Sequence, residues 1–170
     1  DKQAYKESLE ARLGMSYSVM RGVFNQVKGR GKKIVFPEGD HEKVIRAAAQ
    51  CIEQEICKPI LLGNVESIHN KMAELNIKFE CEITNPRYDK RRIGQYDLEL
   101  LENRGRKGMT ITDAQRLLKS RPYFAAQMVE TGDADGFLGG VSRNYEDVLR
   151  PCLEIIGTDE DSHCAIGCYM

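Results

Sequence analysis

Short apolar segments of strand length alternate with segments of helical periodicity from residue 33 to the end of the chain. The segments between the predicted strands carry apolar residues at three- and four-residue spacing, which is typical of helices packed on one face. The predicted strands are KIVF, PILLG, FECEI, DGFLGG and HCAIGCYM. Strands that alternate with helices favour a mostly parallel sheet covered on both faces. The sequence therefore predicts an α/β fold of three layers, αβα.

Several residues mark where the predicted helices begin. Asp40 and Asn64 are predicted N-caps, and Thr110 with an acid three residues later forms a capping pair. Pro151 would remove a hydrogen bond from a helix interior. Its helix is therefore expected to begin near residues 144–145, so that the proline lies early in it.

The chain begins with two polar helical patterns, over residues 2–12 and 16–27. They are followed by KGRGKK, which precedes a strand and has no Ser or Thr after its lysines, unlike a nucleotide-binding loop. We interpret residues 1–30 as a helical linker arm and residues 31–170 as the globular domain.

Composition excludes several classes of protein. The 25 Lys and Arg residues balance the 26 Asp and Glu residues, which argues against a nucleic-acid partner. No apolar run approaches the ~20 residues of a membrane span, and the N-terminus has no signal-peptide core. The six cysteines form no C-x-x-C motif and are expected to be buried free thiols of a cytoplasmic protein. A zinc site at His163, Cys164 and Cys168 would lack a fourth ligand, so no metal site is predicted.

Three loops fall at the carboxyl ends of predicted strands, where parallel α/β sheets collect their ligands. They are PEGDH, TNPR and GGVSRN. The first contains Glu38, Gly39 and Asp40, and the third contains Arg143 and Asn144. A glycine permits a close approach of backbone to ligand. The two acids also suit the N-terminus of the following helix, so both interpretations stay open.

Arg104 lies at the exit of the long helix predicted over residues 88–103, and Arg150 flanks the turn after the fourth predicted strand. A guanidinium group binds phosphate through two parallel hydrogen bonds, so a cleft that collects both residues could hold a nucleotide diphosphate. Their spacing alone favours solvated charges on helix surfaces over such a cleft. The residues by themselves thus define an α/β domain with a candidate anion-binding cleft.

Several long phrases follow one another in the second half of the chain: KGMT, RPYF, DADG and LRPCLEIIGT. Together with KIVFPEGDHEKVIRAA and PILLGN, they resemble the phosphate acetyl/butyryltransferase family. The resemblance covers residues 33–170 and implies a phosphotransacetylase fold, which is isocitrate-dehydrogenase-like. Met170 falls at the family's midpoint, so the domain is expected to be truncated to its first half. The family's catalytic Ser-Arg pair and Asp belong to the later half, so this fragment is not expected to catalyse acyl transfer.

Two features differ from the stand-alone transferases of this family. The fourth predicted strand is followed by GGVSRNY, and an R-N-Y triplet is similar to the C-terminal domain of large bacterial NADP-dependent malic enzymes. The arm YKESLEARLG with VMRGVFNQVK also resembles the linker of those enzymes. The resemblance therefore implies a fragment of a multidomain malic enzyme.

Such a parent chain would oxidise and decarboxylate malate to pyruvate with NADP and Mg or Mn. This fragment would bind none of those cofactors, and would instead be a regulatory domain that binds acetyl-CoA as an allosteric effector. Arg104 and Arg150 match the family's coenzyme A-contacting arginines, and the PEGDH and SRNY segments would line the same cleft. The expected partners are the upstream malic-enzyme domains and further copies in a homo-oligomer, with no nucleic acid and no membrane.

Two alternatives to the malic-enzyme interpretation stay open. The chain is either part of a phosphate acetyltransferase, which moves an acetyl group between coenzyme A and orthophosphate, or a structural module that holds an oligomer together. The R-N-Y triplet and the arm favour the malic enzyme.

Overall fold

The structure is a computed structural model, and it describes residues 20–158 together with residues 5, 161 and 164. The predicted strand HCAIGCYM, apart from residue 164, lies outside the described residues. So does the helix predicted over residues 2–12, apart from residue 5. Residues 20–27 are helical. The division into an arm and a domain at residue 30 stays a prediction.

The centre of the fold is a four-stranded sheet in which every pairing is parallel. Its order is β3-β2-β1-β4. The strands are β1 (Lys33–Phe36), β2 (Lys58–Leu62), β3 (Glu82–Thr84) and β4 (Gly136–Phe137). Val35 stands opposite Ile60 on one side and Phe137 on the other. The parallel sheet is thereby confirmed. The third and fourth strands both begin later than predicted, and the fourth is shorter, with only Gly136 and Phe137.

Helices cover both faces of this sheet. They are α1 (Glu42–Glu53), α2 (Val65–Glu74), α3 (Lys90–Arg104), α4 (Ile111–Leu117), α5 (Arg121–Glu130) and α6 (Tyr145–Ile155), with a short 3₁₀ turn at Gly105–Lys107. Alternate strand residues point to opposite faces. Phe36 and Leu61 accordingly pack with α1 and α2, whereas Val35 and Ile60 pack with α3 to α6. The three-layer αβα prediction is confirmed.

The predicted helix starts are right in three places and wrong in one. Asn64 caps α2 by accepting a hydrogen bond from the Ser67 N–H, and Thr110 forms a complete capping box. The helix with Pro151 begins directly after Asn144, as expected. The prediction that Asp40 caps α1 is wrong, because His41 is the N-cap and Asp40 pairs with a residue of another helix.

The five cysteines that the structure describes are less buried than predicted. Cys51, Cys57, Cys81 and Cys152 are half-buried, and the expectation of burial is wrong for Cys164, which is exposed. Burial raises the pKa of Cys81 to about 11 and, with the neighbouring Cys51 thiol, that of Cys57 to about 12. These two thiols therefore stay protonated at neutral pH.

Two absences concern the described part of the chain. Its helices include none that is long and apolar enough to cross a membrane. Residues 20–158, with 5, 161 and 164, also contain no group of three or more His, Cys, Asp or Glu side chains arranged to hold a metal ion. NADP and Mg or Mn stay predictions for a longer parent chain.

Candidate functional site

A cleft of about 570 Å³ lies at the carboxyl edge of the sheet. The loops after β2, β3 and β4 converge there with the N-terminus of α5. The lining residues are Asn64, Asn85, Pro86, Arg87, Tyr88, Lys119, Ser120, Arg121 and Arg143. Four of these described lining residues are basic and none is acidic. The cleft is therefore suited to an anionic ligand.

Glu38 is the most buried charged side chain at this edge, with 4% of its surface exposed. It follows β1, and its carboxylate accepts hydrogen bonds from the loop after β4. Oε2 accepts from the Gly140 and Val141 N–H groups at 2.8 Å each, and Oε1 accepts from the Ser142 N–H at 2.6 Å and from Ser142 Oγ at 2.5 Å. The loop is thus wrapped around an internal carboxylate.

The pKa of Glu38 reflects this environment. Burial acts to raise the pKa, but the Ser142 side chain and the backbone N–H groups of Val141, Ser142 and Gly140 donate hydrogen bonds to the ionised form and outweigh it. The net effect lowers the pKa from 4.5 to about 2. Glu38 is therefore ionised at neutral pH, and as an anion it organises the loop.

Gly39 lets the turn after β1 lie directly on β2. Its N–H donates to the Leu62 carbonyl at 3.1 Å. A Cβ atom at this position would stand 2.8 Å from Leu61 Cβ and 2.9 Å from the Leu62 carbonyl oxygen. Glycine is required here by this close approach, which fixes the two flanking acids relative to the sheet.

Asp40 makes a bidentate ion pair with Arg121, the first residue of α5. Arg121 Nη1 donates to Oδ1 at 2.7 Å, and Nη2 donates to Oδ2 at 3.0 Å. These hydrogen bonds, together with the positive charge of Arg121, hold the pKa of Asp40 below its usual range despite partial burial. The pair ties the turn after β1 to the cleft wall that α5 provides.

The sequence-predicted site residues fall into two places. Glu38, Gly39, Asp40 and Arg143 lie at the carboxyl edge, and Arg143 lines the cleft directly. Asn144 is the exposed N-cap residue of α6, and its side chain makes no capping hydrogen bond.

Arg104 and Arg150 lie on the helical layer instead, and neither lines the cleft. Arg104 Nη1 donates to the Glu154 backbone carbonyl of α6 at 2.6 Å, and Tyr123 Oη donates to the carboxylate of the same residue at 2.6 Å. Arg150 is exposed, with its nearest acid, Glu146, at 3.7 Å. Both arginines act to lower the pKa of Tyr123, which burial and Glu154 nevertheless raise to about 12. A coenzyme A role for Arg104 and Arg150 stays a prediction.

Sequence reasoning did not single out Arg121, Lys119 or Arg87 as site residues. The TNPR loop, which contains Arg87, was expected at this edge from the strand order. Arg121 opens the RPYF phrase, and the proline after it indicates that this arginine begins a helix.

A second cavity, of about 540 Å³, lies at the opposite edge of the sheet, beside the first residues of β1, β2 and β3. Its lining includes Cys57, Pro59, Ile60 and Cys81, together with charged residues. Parallel sheets bind ligands at their carboxyl edge, so we assign the candidate site to the basic cleft.

The fold belongs to the α/β class with a parallel sheet, and its candidate site is an anion cleft at the carboxyl edge. Comparison with protein families assigns it further. Residues 18–167 match the family described as Phosphate acetyl/butaryl transferase, and the chain belongs to this family.

The relatives carry two kinds of name. A phosphate acetyltransferase of Thermoanaerobacterium thermosaccharolyticum is 33% identical over 141 residues, which are 83% of this chain and 42% of the relative. An NADP-dependent malic enzyme of Rhizobium meliloti is 34% identical over 161 residues, 91% of this chain and 21% of the relative. The crystal structure of a phosphotransacetylase from Streptococcus pyogenes superposes with a TM-score of 0.76 and 34% identity, over 82% of this chain and 42% of that one.

These comparisons bear on the two enzyme interpretations. The chain spans less than half the length of each of these relatives. Phosphate acetyltransferases predominate among the matches, so the comparisons support the transferase interpretation better than the malic-enzyme interpretation that the sequence favoured.

Proposed function

We propose that this chain forms the coenzyme A-binding half of a phosphate acetyltransferase, which exchanges an acetyl group between coenzyme A and orthophosphate. The observation that carries this proposal is the basic cleft at the carboxyl edge of the sheet. Membership in the transferase family supplies the ligand class, because an acyl-CoA and orthophosphate are both anions.

The lining of the cleft fits phosphate groups in detail. Arg87 and Arg143 provide planar guanidinium groups, each able to donate two hydrogen bonds to a phosphate, and Lys119 adds a flexible point charge. Arg121 is held by Asp40 and contributes a partly neutralised charge to the same wall. The N-terminus of α5 lies in the same wall, where backbone N–H groups and the helix dipole favour negative charge. A diphosphate such as that of coenzyme A would meet donors from three sides.

Arg143→Ala is expected to weaken coenzyme A binding by about tenfold or more, because a charged hydrogen-bond donor to phosphate is lost. The measurement is isothermal titration calorimetry of coenzyme A with the wild type and the variant. Arg143 is exposed, so the variant is expected to fold as the wild type does.

Lys71→Ala is the matched control for that experiment. Lys71 is also basic, but it lies on α2, where it pairs with Glu74 at 2.7 Å. Its removal is expected to leave the affinity unchanged. Equal losses of affinity in the two variants would show that the effect of Arg143 comes only from the change in net charge. That result would contradict the assignment of the cleft as the binding site.

A second candidate is the regulatory acetyl-CoA-binding domain of an NADP-dependent malic enzyme. The alignment with the malic-enzyme relative covers 91% of this chain, against 83% for the transferase named above, and the R-N-Y triplet at 143–145 favours it too. Assays of acetyl phosphate formation and of malate-dependent NADP reduction, on the natural polypeptide that contains these residues, separate the two. A cytoplasmic location, a homo-oligomer and, in the malic enzyme, upstream domains as partners belong to these proposals.

A further inference from the structure

The turn Pro37–Asp40 carries two carboxylates, and each of them holds a different wall of the cleft. Asp40 contacts Arg121 directly, whereas Glu38 contacts the loop that leads into Arg143. We propose that Glu38 is a positioning residue of the anion cleft, which fixes the loop after β4 so that Arg143 faces the bound anion. This inference rests on the proposed function only in that the cleft binds an anion.

The contacts of Glu38 determine the course of the loop residue by residue. Three successive backbone N–H groups, of Gly140, Val141 and Ser142, converge on one carboxylate. Such a concave arrangement of N–H groups is typical of an anion-binding backbone. Arg143 follows Ser142 directly, so its backbone direction is set by the last of these hydrogen bonds.

The backbone on both sides of the contact is constrained as well. Gly140 has a φ of +104°, which glycine alone adopts without strain. A Cβ at Gly139 would stand 3.0 Å from Phe137 Cε2 and 3.5 Å from Pro37 Cδ. The loop therefore lies closely against the turn after β1, next to Glu38.

Glu38 also decides where in the cleft an external anion binds. The N–H groups of the loop would themselves attract a phosphate, but the internal carboxylate already occupies them. The described partners of Glu38 are neutral donors, so its charge is stabilised by dipoles and no arginine is used for it. Arg143, which lines the cleft, therefore stays available for the ligand.

Glu38→Gln distinguishes a positioning role from a purely electrostatic one, because the two roles predict opposite changes in the affinity for an anion. The substitution removes a negative charge beside the cleft, which by itself strengthens the binding of an anion. A glutamine also presents an NH₂ group to backbone donors, so the loop loses its anchor. We expect pyrophosphate, the probe, to bind about fivefold to tenfold more weakly to the variant, because the loop must be ordered on binding.

The experiment combines calorimetry of pyrophosphate with amide hydrogen exchange of residues 138–144. In Glu38→Gln both the affinity and the protection of these amides are expected to fall. Met72→Ala is the control for lost stability, since Met72 is buried on the opposite face of the sheet, and its affinity is expected to match the wild type. Should Glu38→Gln fail to fold, Ser142→Ala, which removes one of the four hydrogen bonds from an exposed residue, takes its place with an expected loss of about twofold.

Each result decides the inference. Affinity that is unchanged or stronger in the folded variant, or a wild type that does not bind pyrophosphate, overturns the positioning role. A loss of pyrophosphate affinity in Met72→Ala as large as that in Glu38→Gln overturns it as well. A wild type that binds pyrophosphate but not coenzyme A overturns the proposed function, while the loss in Glu38→Gln still establishes the positioning role.

Discussion

Gly39→Ala is expected to lower the free energy of unfolding by about 3 kcal/mol, at the upper end of the cost of overpacking. The added Cβ would stand 2.8 Å from Leu61 Cβ, 2.9 Å from the Leu62 carbonyl oxygen and 3.0 Å from the Leu62 nitrogen. Two of these atoms belong to the backbone of β2, which is paired on both sides and cannot move without breaking its ladder. Urea unfolding of wild type and variant measures the difference.

Gly94→Ala is the matched control, because it adds the same methyl group in the middle of α3. A Cβ there meets no atom within 4 Å. Alanine is favoured over glycine in a helix interior, so this variant is expected to gain up to about 1 kcal/mol. If Gly39→Ala is as stable as the wild type, the inference that the turn lies in close contact with β2 is wrong.

The layers of the fold follow from periodicity alone. Residues such as Val35 and Phe36 alternate between two apolar environments, and helical spacing in α1 and α2 provides a complementary face for one of them. These are local patterns, so a single sequence reveals them. The cap at Asn64 and the box at Thr110 are local for the same reason.

Asp40 illustrates what local patterns miss. An aspartate just before an apolar helical pattern is a good N-cap. Its actual partner, Arg121, lies 81 residues away in the sequence. The capping position passes to His41, whose Nδ1 accepts from the Lys43 N–H at 3.2 Å. A long-range ion pair with two hydrogen bonds outweighs a single capping bond, and sequence spacing contains no information about it.

The sequence predicted the position of the candidate site better than it predicted the residues that line it. Parallel strand order put the correct loops at one edge. Which basic residues face the cleft depends on what else each guanidinium contacts. Arg104 donates to a carbonyl of α6, whereas Arg143 follows a loop that Glu38 anchors. Both look alike as charges in a sequence, and only packing distinguishes them.

The ionised Glu38 contributes about 3 kcal/mol to the free energy of unfolding of the wild type. Lowering the pH from 5 to 2.5 is expected to remove most of this contribution of Glu38. Its folded pKa of about 2 lies below the ordinary value of 4.5 that it has when unfolded. Between these values the unfolded chain takes up a proton and the folded chain does not. The stabilisation is therefore complete above pH 4.5 and is lost as the pH falls through 4.5 toward 2.

The measurement is a series of urea unfolding curves between pH 5 and 2.5 on the wild type, Glu38→Gln and Glu66→Gln. Glu66 is an exposed carboxylate at the start of α2, so its removal is expected to leave the pH dependence close to that of the wild type. Glu38→Gln is expected to be less stable at pH 5 and to lose less on acidification, so that the two curves converge near pH 2. Carbon NMR titration of the Glu38 carboxyl in the wild type tests the same point without a variant. A midpoint near 4.5 would contradict the four hydrogen bonds to this carboxylate, because donors fixed on the ionised form must lower its pKa.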